Sequence, residues 1–134
     1  MNPNRARALA EAQQAVELDP NDAGKRWVLG VILGHEGRLM ESDAEFDAAH
    51  KLDPNHADAW AMQAELTTEK GRPAEAIEQV WKALRLNPHP QGRYHWMLGQ
   101  AQYAFRDYEC AVQTLRRPET IARRHDVLAL SWQV

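Results

Sequence analysis

Leu18-Asp19-Pro20-Asn21, Leu52-Asp53-Pro54-Asn55 and Leu86-Asn87-Pro88-His89 recur along the chain at an identical spacing of 34 residues. A fixed period of this length is the signature of a stacked two-helix repeat, in which each unit buries its apolar face only against its neighbours. Proline cannot continue a helix, and the Asp or Asn before it starts a turn. Each proline therefore marks the end of a second helix. Aligning on the prolines brings small residues into register. Gly30 and Ala64 fall on the first helix of their hairpins, Ser42 and Ala76 on the second, where two closely crossing helices need small side chains. Ala15, Ala49 and Ala83 fall five residues before each proline, where bulk would push successive hairpins apart. Gly37 and Gly71 stand where the first helix ends, in the left-handed position that glycine fills best.

A third hairpin follows, with Leu98-Gly99 and Asp107-Tyr108-Glu109-Cys110-Ala111, in register once one residue is inserted near Gln91. The His89-Pro90-Gln91-Gly92 segment is thus expected to be a longer turn. Pro118 stands where this repeat should carry its second-helix alanine, so that helix is expected to stop near Arg117 and a new one to start at Pro118 and run to Trp132. At the other end the chain opens with only a second helix, Asn4 to Leu18. The domain reading is one stack. Residues 1–22 are a half-repeat, 23–56 and 57–91 full repeats, 92–117 a shortened repeat and 118–134 a terminal helix. Uncapped half-repeats at both ends suggest a piece of a longer array.

With 134 residues, 44% of them hydrophobic, the chain suits one compact domain. A net charge of −3 gives no field strong enough to draw in nucleic acid or anionic lipid. The basic cluster Arg116, Arg117, Arg123 and Arg124 reads as solvated helix ends. No stretch approaches a membrane span and no signal-peptide core opens the chain, so a cytoplasmic location is expected. Cys110 is the single cysteine. It has no internal disulfide partner and reads as a small helix residue.

The in-register proline, alanine and glycine sets resemble the tetratricopeptide repeat family over nearly the whole chain. That resemblance implies an all-α fold: a right-handed superhelical stack of antiparallel helix hairpins. Departures from the family pattern are Arg26 in place of the leading aromatic, with Trp27 one place later, and Gln63 in place of a leucine. A narrower resemblance lies in Leu86-Asn87-Pro88-His89-Pro90 followed by Tyr94, Trp96-Met97-Leu98-Gly99-Gln100, Tyr103, Tyr108 and Leu115-Arg116-Arg117. This looks like the repeat region that follows the catalytic domain of bacterial class III adenylate/guanylate cyclases, and implies a regulatory or self-association segment. Activity is not implied, because no window of alternating apolar residues reads as the strands of a cyclase fold.

His35, His50, His56, His89, His95 and His125 scatter over helix ends and loops without the i, i+4 spacing that converges two imidazoles on a metal. No Gly-rich phosphate loop or nucleophile elbow is present. No cofactor, metal or catalytic residue is expected.

The family resemblance implies that the first helices of successive hairpins line a concave groove. Carried over residue by residue, its exposed positions are Trp27, Val31 and His35; Asp58, Ala61, Glu65, Thr68 and Glu69; then Arg93, Trp96, Gln100 and Tyr103. The family's chaperone-binding members hold C-terminal carboxylates with lysines and asparagines at these places. Trp27, Val31, Ala61 and Glu65 do not make that clamp. Aromatic side chains give large contact area for little lost entropy, so Trp27, Trp96 and Tyr103 are the expected anchors for a partner. Trp60 is expected in the core, and Trp81 on an outer helix is expected to lie over its own helix or to mark a contact surface. The expected function is a non-enzymatic scaffold that holds a protein or peptide segment in the groove. The terminal half-repeats offer a surface for homo-oligomers.

Overall fold

The computed structural model describes residues 3–87 and 92–116. The helices are α1 (Pro3–Leu18), α2 (Ala23–His35), α3 (Leu39–Leu52), α4 (Ala57–Glu69), α5 (Pro73–Leu86), α6 (Gly92–Ala104) and α7 (Tyr108–Leu115). Among the described residues there is no strand. The fold is an all-α stack of helix hairpins. α2 pairs with α3, α4 with α5 and α6 with α7, while α1 packs on α2 without a preceding partner among the described residues. α2, α4 and α6 touch in series and form one row, and α3, α5 and α7 each pack against that row.

Local chemistry starts and stops these helices. Asp22 and Asp107 accept hydrogen bonds from the backbone N–H groups of Lys25 and Cys110, both at 3.2 Å. His56 caps α4 by accepting from Ala59 N–H at 3.3 Å. Each cap satisfies a donor that the first helical turn leaves unpaired. Pro73 occupies the first turn of α5, where its missing N–H is harmless.

At the other end, Gly37 and Gly71 take φ of 79° and 81°. Arg38 N–H then reaches back to the Leu33 carbonyl at 3.0 Å, and Arg72 N–H to that of Thr67 at 3.1 Å. The third hairpin makes the same turn with an arginine. Arg106 sits at φ 67°, and Asp107 N–H donates to the Gln102 carbonyl at 3.0 Å. Its place, one residue beyond the 34-residue step from Gly71, fits the insertion expected near Gln91. Gly92, expected in the turn, is the first residue of α6.

The hairpin crossings are closed by the small residues. A Cβ added at Gly30 would lie 2.9 Å from the ring of Phe46, which is fully buried. Ser42 on α3 donates from its hydroxyl to the Gly30 carbonyl at 2.6 Å, so its one polar atom is satisfied inside the contact. Ala64, Ala76 and Ala111 are buried at the equivalent places, and Gly99 faces Leu115. Ala49 and Ala83 are buried as the spacing required, whereas Ala15 is only partly covered. Between the second and third hairpins Ala64, Ala76, Val80, Leu98 and Ala101 form one cluster; Leu9, Val16, Leu29 and Leu33 form another between α1 and α2. Burying each large aliphatic side chain contributes roughly 1.5–3 kcal/mol.

α7 ends at Leu115, with Arg116 capping it. Arg117 itself and the helix expected from Pro118 lie outside the described residues. No described helix is long and apolar enough to cross a membrane.

Candidate functional site

A recess of about 300 Å³ opens between α4 and α6, lined by Glu65, Thr68, Glu69, Trp96, Met97 and Gln100. Two helical pairs one turn apart face each other across it: Glu65 and Glu69 on α4, Trp96 and Gln100 on α6. Residues four apart share a helix face, so these pairs line one channel wall each. Thr68 folds its hydroxyl onto the Ala64 carbonyl at 3.0 Å, which leaves its oxygen lone pairs as acceptors. Glu65, Glu69 and Gln100 are exposed; Trp96 and Met97 are half-buried.

The other residues expected in the groove stand apart from this recess. Asp58 is bound within the chain: its carboxylate accepts from Arg93 at 2.7 Å and from the Tyr94 hydroxyl. Burial alone would raise the Asp58 carboxyl, but the bonds from Tyr94 and Arg93 outweigh it and hold the group below its ordinary value. Burial and the bond to Asp58 push the Tyr94 phenol up. Ala61 corrects the expectation of an exposed groove residue. It is 0% exposed, packed with Ala83 of α5 and Tyr94 of α6, because the tyrosine ring needs a small side chain opposite it.

Trp27 lines a separate recess near α1 with Ala12, Ala15, Val28 and His56, its ring 5.6 Å from the His56 imidazole. Its indole N–H is buried and finds no hydrogen-bond partner among the described residues. Val31 is partly buried and His35 exposed. Tyr103 lies toward the end of α6, 63% exposed, edge-on to Tyr108 at 5.4 Å. Met97 lines the recess and was missed, because its place beside the core residue Leu98 carries no periodic signal of exposure.

Trp60, expected in the core, is half-buried and donates to the Pro54 carbonyl at 3.1 Å. Its ring stacks on His50 and carries the Lys82 ammonium 4.3 Å from its centroid. Trp81 is exposed beside Gln102, Cys110, Gln113 and Thr114. His50 lies in the last turn of α3 and His95 in the first turn of α6, half-buried and buried. Among the described residues no three His, Cys, Asp or Glu side chains gather closely enough to hold a metal ion.

The fold is similar to two solved structures of MamA. One aligns with a TM-score of 0.71 and 21% identity over 84% of this chain and 61% of that one. The other aligns with a TM-score of 0.72 and 19% identity over 93% and 71%. The chain thus spans about two thirds of the length of these structures, and at such identity the likeness is one of fold. No curated protein matches by sequence. The family pattern described as Tetratricopeptide repeat matches residues 36–89 and again 70–122, which together take in the turn glycines, the crossing residues Ser42, Ala64 and Ala76, and both walls of the recess. The chain belongs to the tetratricopeptide repeat family.

Proposed function

We propose that this chain is a non-enzymatic scaffold that holds a segment of a protein partner on the face formed by α2, α4 and α6. The observation that carries this reading is the α4–α6 recess, where Trp96 offers apolar surface in a depression bordered by polar side chains. A half-covered aromatic ringed by polar groups is the arrangement that anchors a partner's side chain, since the ring gives area and the rim excludes water. Nucleic acid and membrane are not the partners read here, and a cytoplasmic location agrees with that reading. Peptides selected on the full chain should lose tenfold or more in affinity, roughly 1.4 kcal/mol or above, on Trp96→Ala. Unchanged affinity would place the site elsewhere.

Self-association is a second reading, favoured by Tyr103, Phe105, Tyr108 and Val112, all exposed at the α6–α7 end. Exposed apolar side chains grouped at one end of a stack suit a second copy. Light scattering over a dilution series tests it, with Phe105→Glu and Val112→Glu expected to weaken any dimer. A wild-type chain that is monomeric throughout sinks the reading. The cyclase-linked version of this role rests on the resemblance of residues 86–117 alone and draws no support from the comparisons.

A further inference from the structure

We propose that the α4–α6 recess takes an arginine side chain of the partner, laid on the Trp96 indole with its guanidinium between Glu65 and Glu69. This rests on the reading of that face as a binding groove. Glu65 and Glu69 are one turn apart on α4, and neither makes an ion pair or hydrogen bond among the described residues. A like-charged pair at that spacing works against the helix that carries it.

The cations nearest in sequence are committed elsewhere. Lys70 bonds Asp43 at 2.7 Å, Arg72 lies 3.9 Å from Glu75, and Arg93 bonds Asp58 at 2.7 Å. Asp58, on the same helix, is thus neutralised from within the chain, while the two carboxylates at the recess are left open. The remaining lining adds the Thr68 hydroxyl as an acceptor, an amide at Gln100, the Trp96 indole and the Met97 thioether, and no cation. Acceptors around an aromatic face recruit a cation, and an apolar wall suits a long aliphatic stem behind it.

Arginine fits these groups better than lysine. Its guanidinium is planar, stacks on an indole, forks toward carboxylates and is more weakly hydrated than an ammonium. A volume of about 300 Å³ admits one such side chain rather than a helix or strand.

The test is a selection of random linear peptides on the full chain, followed by titration of a selected peptide and its Arg→citrulline and Arg→Lys counterparts. Citrulline keeps the shape and removes the charge. Arginine should be enriched, and the citrulline peptide should bind about tenfold more weakly, the lysine peptide also more weakly than arginine. The double variant Glu65→Gln, Glu69→Gln should lose about tenfold toward the arginine peptide and nothing toward the citrulline one, with unchanged circular dichroism. Equal binding of the citrulline or the lysine peptide overturns the proposal. Peptides that need Trp96 but carry no arginine overturn it and leave the groove reading standing. Peptides indifferent to Trp96→Ala, or no selected peptides at all, overturn both.

Discussion

His50 and Trp60 stack face to face, with ring centroids 3.6 Å apart and planes inclined by 9°, joining the last turn of α3 to the first turn of α4. The pair is a polar seam between the first two hairpins, which Lys70 and Asp43 also join at 2.7 Å. Nε2 of His50 donates to the Gln63 amide oxygen at 2.7 Å, while Nδ1 is buried with no hydrogen-bond partner among the described residues. Lys82 of α5 sits against the Trp60 ring. A second proton on His50 would therefore enter a buried, partnerless position beside an indole that already carries a cation.

That arrangement sets a pH dependence. Burial pushes the His50 imidazole down from its ordinary 6.5; Gln63 and Asp47 oppose this, and Lys82 and His56 add to it. Above the ordinary value both folded and unfolded chains are neutral at this residue, so it adds nothing. As pH falls through about 6.5 the unfolded chain takes up the proton first, and stability drops until the folded chain is protonated too. Wild type should lose more melting temperature than His50→Asn between about pH 7.5 and about pH 5.5. Parallel losses in the two proteins would remove His50 as the cause.

The Gly30 crossing should be intolerant of a single methyl. The Cβ of Gly30→Ala would meet the Phe46 ring at 2.9 Å, and that ring is fully enclosed. Overpacking there should cost about 1–3 kcal/mol. Gly99→Ala would come closer still to its neighbour, 2.6 Å from Leu115 Cγ, but that side chain is only half-buried and can turn away. Chemical denaturation should rank Gly30→Ala clearly below Gly99→Ala. The reverse order would contradict the packing described.

Arg106 offers the opposite experiment. It holds the left-handed conformation that Gly37 and Gly71 hold in the other hairpins, and an L side chain there is disfavoured by roughly 1–2 kcal/mol. Arg106 is exposed, so its side chain contributes little packing to lose. Arg106→Gly should stabilise the chain by about 1 kcal/mol, less whatever the added freedom of the unfolded chain removes. A thermal melt showing no gain, or a loss, would count against it.

Tyr94 ties α6 to its neighbours through one hydroxyl, which donates to Asp58 and accepts from Asn87. Tyr94→Phe removes both bonds, with Asp58 keeping Arg93, and should cost about 1–3 kcal/mol. Because Asp58 is held below its ordinary 3.8, its contribution is present above that value and is lost as pH falls through the lower folded value. Stability followed below pH 3.8 should fall more steeply for wild type than for Tyr94→Phe. Identical acid limbs would show that Asp58 gains nothing from the tyrosine.

The repeat period, the turn positions and the small crossing residues were determined by the sequence itself, since each depends on backbone rules that hold wherever they occur. Proline ends a helix, glycine takes a positive φ, and close crossings require residues as small as Gly30, Ser42, Ala64 and Ala76. The Arg106 turn escaped because arginine carries no such rule: the hairpin imposes the conformation on a residue that disfavours it. Which groove positions converge was a tertiary decision. Glu65, Thr68, Glu69, Trp96 and Gln100 meet because α4 and α6 lie side by side, whereas Ala61 packs against Tyr94, Trp27 lines another recess near α1, and Tyr103 sits against Tyr108. Charge followed the same division. Composition counts Asp58, Glu65 and Glu69 alike, but only the packed structure gives the first an arginine and a tyrosine and leaves the other two open, because a salt bridge depends on which side chains the fold brings within reach.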